Sequence, residues 1–353
     1  MLNKVRKTSW RKTQLWGLYK TQGGSHKYFG FGGFCEMKTI VVLGTTRSGS
    51  GAIFDYLKGR HDSWTPFGDA EYFLPQLPYG LMQLRSALSE AFHYTVAHEA
   101  IVRFREVAYQ LARPAVPGQY WGGYEDALPG FTNEIEALLS KLVDSRMSMR
   151  FIWDRMMAAR SGEAFLGRAL RKSKMGKKPV ASERILPLPH DEVLTLIRQM
   201  HDRLFSAGCA DGHFTLLNQA GSGWNPHRST EFFSHRKVIV SMRDPRDQFA
   251  ELKKFKGSTE VEEYVKWFRN LQSRTVTGNP DVSYVKFEDF VLDHEKVSQS
   301  ILTFLELAAS ESNYVPEESE KNIGQFRRAL SPAEIAVIES ELRDEFPDAF
   351  FDA

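Results

Sequence analysis

Two cysteines, Cys35 and Cys209, are all that the 353 residues contain, and they match no metal-ligand spacing. This speaks against a disulfide framework and a Cys-clamped metal, and it fits a reducing compartment; the expected location is cytoplasmic. No apolar run in the sequence approaches the roughly 18 residues that a membrane-spanning helix needs. The basic start lacks the continuous apolar stretch of a signal peptide. A formal net charge of +2 is too small to imply a nucleic-acid partner. Charge is instead local. Residues 1–36 carry seven Lys/Arg against Glu36 alone, and residues 168–178 carry six with no acid. Such runs read first as solvated basic segments. Their functional reading is attraction of an anionic acceptor, or peripheral contact with an anionic membrane surface.

What is present is an ordinary globular composition in a chain long enough for one large α/β domain. Residues 1–36 show no clear period and read as a basic leader. Met37 stands just before the first convincing strand and is a candidate natural start. The domain is read as 37–353. Lys38–Gly44, His213–Leu217, Lys237–Met242 and Val282–Phe287 are short β-branched or apolar runs, the pattern of buried parallel strands. Helical patterns follow the first, third and fourth of them. Residues 83–113 and 132–170 read as helices, Ile185–Pro189 as a proline-bounded loop, and about 191–206 as a helix. The expected fold is α/β: an open parallel sheet with flanking helices and a helical insertion around 75–205. Ser331-Pro332-Ala333-Glu334 reads as the capped start of a last helix.

The first strand runs into Gly44-Thr45-Thr46-Arg47-Ser48-Gly49-Ser50-Gly51 and then into a helix. A glycine-rich turn in that position converges backbone N–H groups on an anion, and the helix N-terminus adds positive potential. The loop is not a Walker motif, because Ser50 stands where that motif places lysine. Its cation is Arg47. The third strand ends in Arg243-Asp244-Pro245-Arg246-Asp247, which puts a guanidinium at a strand edge just before a proline-started helix.

These segments resemble the sulfotransferases that use 3′-phosphoadenosine 5′-phosphosulfate (PAPS). TTRSGSG is similar to their 5′-phosphosulfate loop, and strand-Arg243-Asp244-Pro245 to their 3′-phosphate segment. Val285–Phe290 and Ile301–Leu307 match a strand end and helix of the family. Lys321–Ser331 looks like the family's Gly-x-Trp-Lys region, with Phe326 in place of tryptophan. The resemblance implies a P-loop-type fold and metal-independent in-line sulfuryl transfer to a hydroxyl or amine. It implies cofactor contacts from Thr45, Thr46, Arg47, Ser48, Gly49, Ser50, Gly51 and Arg243, and from Lys321, Arg327 and Arg328. One position departs from the pattern: Glu251 stands where the family usually has a serine donor to the 3′-phosphate, and Lys253, Lys254 or the C-terminal segment are candidate substitutes.

The family's carbohydrate-acting and bacterial members are the nearer likeness. They place a general base in a Glu-Pro-x-Phe-Phe-like segment beyond the loop, and Gly68–Leu74 stands there, with Glu71 as the candidate base. Asp69 and His61 are its rivals. Tyr72 and Phe73 are candidates to shield the site and pack on a sugar ring. The strand HFTLL runs into Asn218-Gln219, where small-molecule sulfotransferases carry a histidine, and neither residue is a base. The expected acceptor is therefore a glycan or glycolipid. Two other readings stay open: a non-catalytic relative that binds PAPS or its product, and a P-loop nucleotide kinase lacking its usual lysine.

Overall fold

The computed structural model describes residues 38–116, 121–149, 182–187, 189–256, 260–275 and 278–352. The basic leader and the basic run 168–178 lie outside these residues. The described strands are β1 (Thr39–Gly44), β2 (Ser63–Trp64), β3 (Ser145–Met149), β4 (Ser182–Leu186), β5 (Phe214–Asn218), β6 (Arg236–Met242) and β7 (Val282–Lys286). Five of them form one parallel sheet in the order β2-β5-β1-β6-β7. β1 is central. Val41 pairs with Leu217 on one side and Val238 on the other.

Alternation along β1 explains its place. Ile40 and Val42 face the helix Ser50–Lys58 and pack with Ile53, Phe54, Leu57, Leu216 and Ile239. Val41 and Leu43 face the other way, into a second cluster with Leu217, Val238 and Val240. All four side chains are buried, so the strand reads as a continuous apolar run. Each such side chain contributes about 1.5–3 kcal/mol by leaving water. Strand ends are therefore fixed by packing, and the loops that leave them inherit that rigidity.

The four sequence-predicted strands match β1, β5, β6 and β7 within a residue at each end. β2 was not foreseen. It has two residues, paired with Phe214 and Thr215, and Trp64 rests against Phe205. The insertion also differs from expectation. Of the helix expected over 132–170, the described part is a helix at Phe131–Leu142 followed by β3 from Ser145, and 150–170 lie outside the described residues. β3 pairs antiparallel with β4, so Ile185 and Leu186 belong to a strand and the proline-bounded loop starts at Pro187. The prolines fall beyond the ladder, where a missing N–H costs nothing. Residues 83–113 are interrupted by a π-turn at Ser86–Glu90 and resume as a helix at Tyr94–Ala112. Ser331 and Glu334 form the expected capping box. Among the described residues no helix is long and apolar enough to cross a membrane.

Candidate functional site

The C-terminal ends of the parallel strands open into one cleft of about 740 Å³. Clefts of this size at such an edge are the usual ligand sites of open α/β sheets. Gly44 through Ala52 form one wall. Glu71 follows β2, Gln219 and Gly221–Trp224 follow β5, Arg243 follows β6, and Phe287 follows β7. Thr45, Thr46, Arg47, Ser48, Gly49, Ser50, Gly51, Glu71 and Arg243 thus line a single space.

The loop is held in an uncommon shape. Thr46 and Arg47 have φ of 67° and 54°, in the left-handed region that side-chain-bearing residues rarely adopt. Strain of this kind costs on the order of 1–3 kcal/mol per residue and persists only when the surroundings enforce it. Here they do. The carbonyls of Thr45 and Thr46 accept from Gln248 Nε2 at 2.9 and 2.6 Å. The carbonyl of Arg47 accepts from Arg243 at 3.1 Å, and that of Ser48 from Ser241 Oγ at 2.6 Å. Four successive carbonyls are drawn toward β6 and the helix after it. Across a trans peptide the next residue's N–H points opposite to the carbonyl, so the N–H groups of Thr46, Arg47, Ser48 and Gly49 are directed away from these partners, as an anion-binding nest requires. Thr45 N–H is the exception, donating to Ser48 Oγ at 3.0 Å. On the β5 side, Gln219 accepts from Gly44 N–H at 3.1 Å and donates to Ser50 Oγ at 2.9 Å.

Gly49 caps the helix Ser50–Lys58 with φ of 82° and has no side chain to accept from the first helical N–H groups. A Cβ there would run into the ring of Phe287. Gly49→Ala is expected to cost about 2–4 kcal/mol, from strain and the clash together. A fall in Tm checks this; an unchanged Tm would mean that Phe287 yields freely. At Gly51 a Cβ would meet nothing within 4 Å, so this glycine leaves the cleft wall open.

Arg243 is only 6% exposed. Beyond its bond to the loop it donates to the carbonyl of Asn322 at 2.6 Å, and it lies 5.0 Å from the ring centre of Phe287. Its Nε is buried and meets no acceptor among the described residues. The rest of the Arg-Asp-Pro-Arg-Asp run is structural. Asp244 caps its own helix through Arg246 N–H at 2.8 Å and is paired with the Arg246 guanidinium. Asp247 accepts from the N–H groups of Gly324 and Phe326 at 2.7 and 2.9 Å, tying the C-terminal segment to the strand edge. Buried Glu288 accepts from Asp244 N–H at 3.0 Å, and burial pushes its carboxyl up to about 7.

The C-terminal segment reaches the cleft through Ser319 and Asn322. Lys321, Arg327 and Arg328, the basic residues singled out there, are exposed and are not part of the cleft wall. Arg327 lies 5.0 Å from the ring centre of Phe326. Glu251 lines the cleft, held by Gln325 Nε2 at 3.2 Å, and Lys253 is turned outward to Glu334.

Glu71 is half-buried at the mouth of β5, and burial raises its carboxyl above the ordinary range. Its backbone is clamped. It bridges to Asn218, Tyr72 N–H donates to Asn218 O at 3.0 Å, and Tyr124 Oη donates to Glu71 O at 3.3 Å. Tyr72 is fully buried and bonds to His201 Nε2 at 2.9 Å, so it supports Glu71 from below and presents no face to a sugar. His201 Nδ1 donates to Phe232 O at 3.0 Å, which leaves Nε2 to accept from Tyr72. Trp224 supplies an aromatic side chain in the cleft instead. The rivals stand elsewhere: Asp69 is ion-paired with Lys58 at the surface, and exposed His61 bonds to Ser310 at 2.9 Å.

Gln219, Ser241 and Gln248, which shape the loop, were missed from the sequence. No local pattern marks them, because each acts on a segment far away in the chain.

No family model matches the chain, and no curated protein matches it. Among solved structures it is similar to the sulfotransferase domain of the Synechococcus PCC 7002 olefin synthase, with 15% identity over 90% of this chain and 95% of that one, TM-score 0.41. It is also similar to the sulfotransferase domain from the curacin biosynthetic pathway, with 12% identity over 87% and 97%, TM-score 0.38. Sulfotransferase STF9 from Mycobacterium avium shows 11% identity over 91% and 78%, TM-score 0.37.

Proposed function

We propose that the cleft binds PAPS and that the protein transfers its sulfuryl group to an acceptor hydroxyl or amine, with a glycan or glycolipid as the acceptor class. The observation that carries this reading is the loop itself. Its four carbonyls are taken up by Gln248, Arg243 and Ser241, its N–H groups are directed away from those partners, and the loop, the start of a helix and a half-buried carboxylate line the same cleft. The wall is rich in hydrogen-bond donors for a phosphosulfate. Gly223 approaches so closely that a Cβ would lie 2.8 Å from Gly44 O, which keeps the floor narrow.

In this reading the acceptor oxygen attacks sulfur as the bond from sulfur to the 5′-phosphate oxygen breaks. The bonding pair leaves with the phosphate, and the acceptor proton passes to Glu71. The products are a sulfate ester and adenosine 3′,5′-bisphosphate. Loop N–H groups and the Ser50 hydroxyl hold the departing phosphate, and Arg47 offsets the charge gathering on the bridging oxygen. Arg243 is assigned to the 3′-phosphate. The Arg243→Ala variant is expected to bind adenosine 3′,5′-bisphosphate at least tenfold more weakly, with a smaller loss for AMP. Equal losses would place Arg243 in a purely structural role.

The test of the whole reading is transfer from sulfur-labelled PAPS to a panel of glycans, glycolipids, phenols and peptides. Labelled product from at least one saccharide acceptor is expected. A kinase would instead be stabilised by ATP with Mg²⁺ and transfer phosphate, and that outcome would overturn the proposal.

A further inference from the structure

Two carboxylates line the cleft. Glu71 stands beside β5, and Glu251 lines the same space, as do Arg243, Ser319 and Asn322. Glu251 is held in place by its helix, Pro245–Lys256. One turn earlier on the same face, Gln248 grips the carbonyls of Thr45 and Thr46. Gln325 fixes one carboxylate oxygen at 3.2 Å; among the described residues the other has no partner. Arg243, which lines the same cleft, keeps a buried Nε without an acceptor among the described residues. The cleft lining therefore contains one cation and one acceptor-only group.

A carboxylate can only accept, so the ligand group opposite it must be a donor. On a nucleotide seated by its 5′-phosphate in the loop, the donors nearest that phosphate are the ribose hydroxyls; the base amine lies farther off. Carboxylates recognise ribose hydroxyls in other nucleotide sites for this reason. A phosphate in the same position would be drawn by Arg243 and repelled by Glu251. We infer that Glu251 reads a ribose hydroxyl of the nucleotide, so that the cleft accepts a 5′-phosphorylated adenosine with a free 3′-hydroxyl at least as well as its 3′-phosphorylated form. This rests on the nucleotide reading of the loop, and it makes the 3′-phosphate of PAPS nearly neutral for binding.

The experiment is calorimetric titration of the full chain with AMP, adenosine 3′,5′-bisphosphate and 3′-deoxyadenosine 5′-phosphate. It is repeated on Glu251→Ser and Glu251→Gln. In the wild type, AMP is expected to bind at least as tightly as the bisphosphate, and loss of the 3′-hydroxyl to weaken binding about tenfold. Glu251→Ser should reverse the order, favouring the bisphosphate at least tenfold, and should abolish the penalty for 3′-deoxy. Glu251→Gln keeps the contact to Gln325 and serves if the serine variant fails to fold; it should gain bisphosphate affinity alone. A wild type that prefers the bisphosphate more than tenfold, with the preference unmoved in both variants, overturns the role of Glu251 and leaves the transfer reading standing. Failure of all three nucleotides to bind the folded wild type overturns both.

Discussion

Replacing Arg47 by alanine is expected to lower kcat/KM for sulfuryl transfer by about 10²–10³, the scale set by removing one donor from an oxyanion site, and to leave Tm nearly unchanged. The two halves of this expectation have separate physical grounds. Arg47 is exposed at the cleft rim, so little apolar packing is lost with its side chain. The loop's shape has a frame in the backbone. The frame is the set of bonds from Gln248, Arg243 and Ser241 to the carbonyls of residues 45–48, and alanine keeps all of those carbonyls. Alanine at φ of 54° is strained much as arginine is, so the backbone cost cancels in the comparison. On the proposed reading, what disappears is a charge at the point where the phosphate–sulfate bond breaks. Arg47→Lys should recover part of the loss, since it restores the charge without the forked donors. The measurement is steady-state kinetics with PAPS varied at saturating acceptor, with Tm beside it. A kcat/KM within threefold of wild type in Arg47→Ala would remove Arg47 from the transfer step.

The fold was legible where burial is two-sided. Thr39–Gly44, Phe214–Asn218, Arg236–Met242 and Val282–Lys286 each carry apolar runs that no helix period explains, and each is a sheet strand. β3 and β4 were not legible. Ser-Arg-Met-Ser-Met and Ser-Glu-Arg-Ile-Leu are weak strand formers that become a hairpin only by pairing with each other across a long separation. The site divides the same way. Gly49 was legible as part of a glycine-rich turn between a strand and a helix, and Arg243 because it precedes a proline-started helix. Gln248 and Gln219 were not, since a glutamine on a helix or after a strand reads as solvent-facing until the loop it grips is in view. Tyr72 misled for a related reason. Its neighbours in sequence suggested a wall of the site, while its hydroxyl is committed to His201 in the core.

Glu71→Gln separates catalysis from stability more sharply than any other change in the cleft. The variant keeps the length and shape of the side chain. The backbone clamp from Asn218 and Tyr124 uses main-chain atoms and survives. With Glu71 as the proposed base, its removal should lower kcat by about 10²–10⁴ while nucleotide affinity holds, because the proton leaves the acceptor only in the transition state. The pH profile gives an independent reading. Burial raises the Glu71 carboxyl above the usual 4.5, and a base works only when ionised. Wild-type kcat/KM should therefore rise with pH through that raised value, and the acid limb should be missing in the variant. The same shift has the opposite sign for folding. A carboxyl whose folded pKa is raised adds stability that is present below its unfolded pKa and is lost as pH rises through the folded one. At pH 7–8 the wild type thus holds an ionised group that burial disfavours, and glutamine relieves it. Tm of Glu71→Gln at pH 7–8 should equal or exceed that of wild type, with the margin shrinking toward pH 4. Survival of turnover in Glu71→Gln, with collapse in Asp69→Asn or His61→Asn, would move the base elsewhere and leave the nucleotide cleft as it is. A Tm that falls sharply with activity would mean that the carboxylate holds the segment in place, and the kinetic loss would then say nothing about proton transfer.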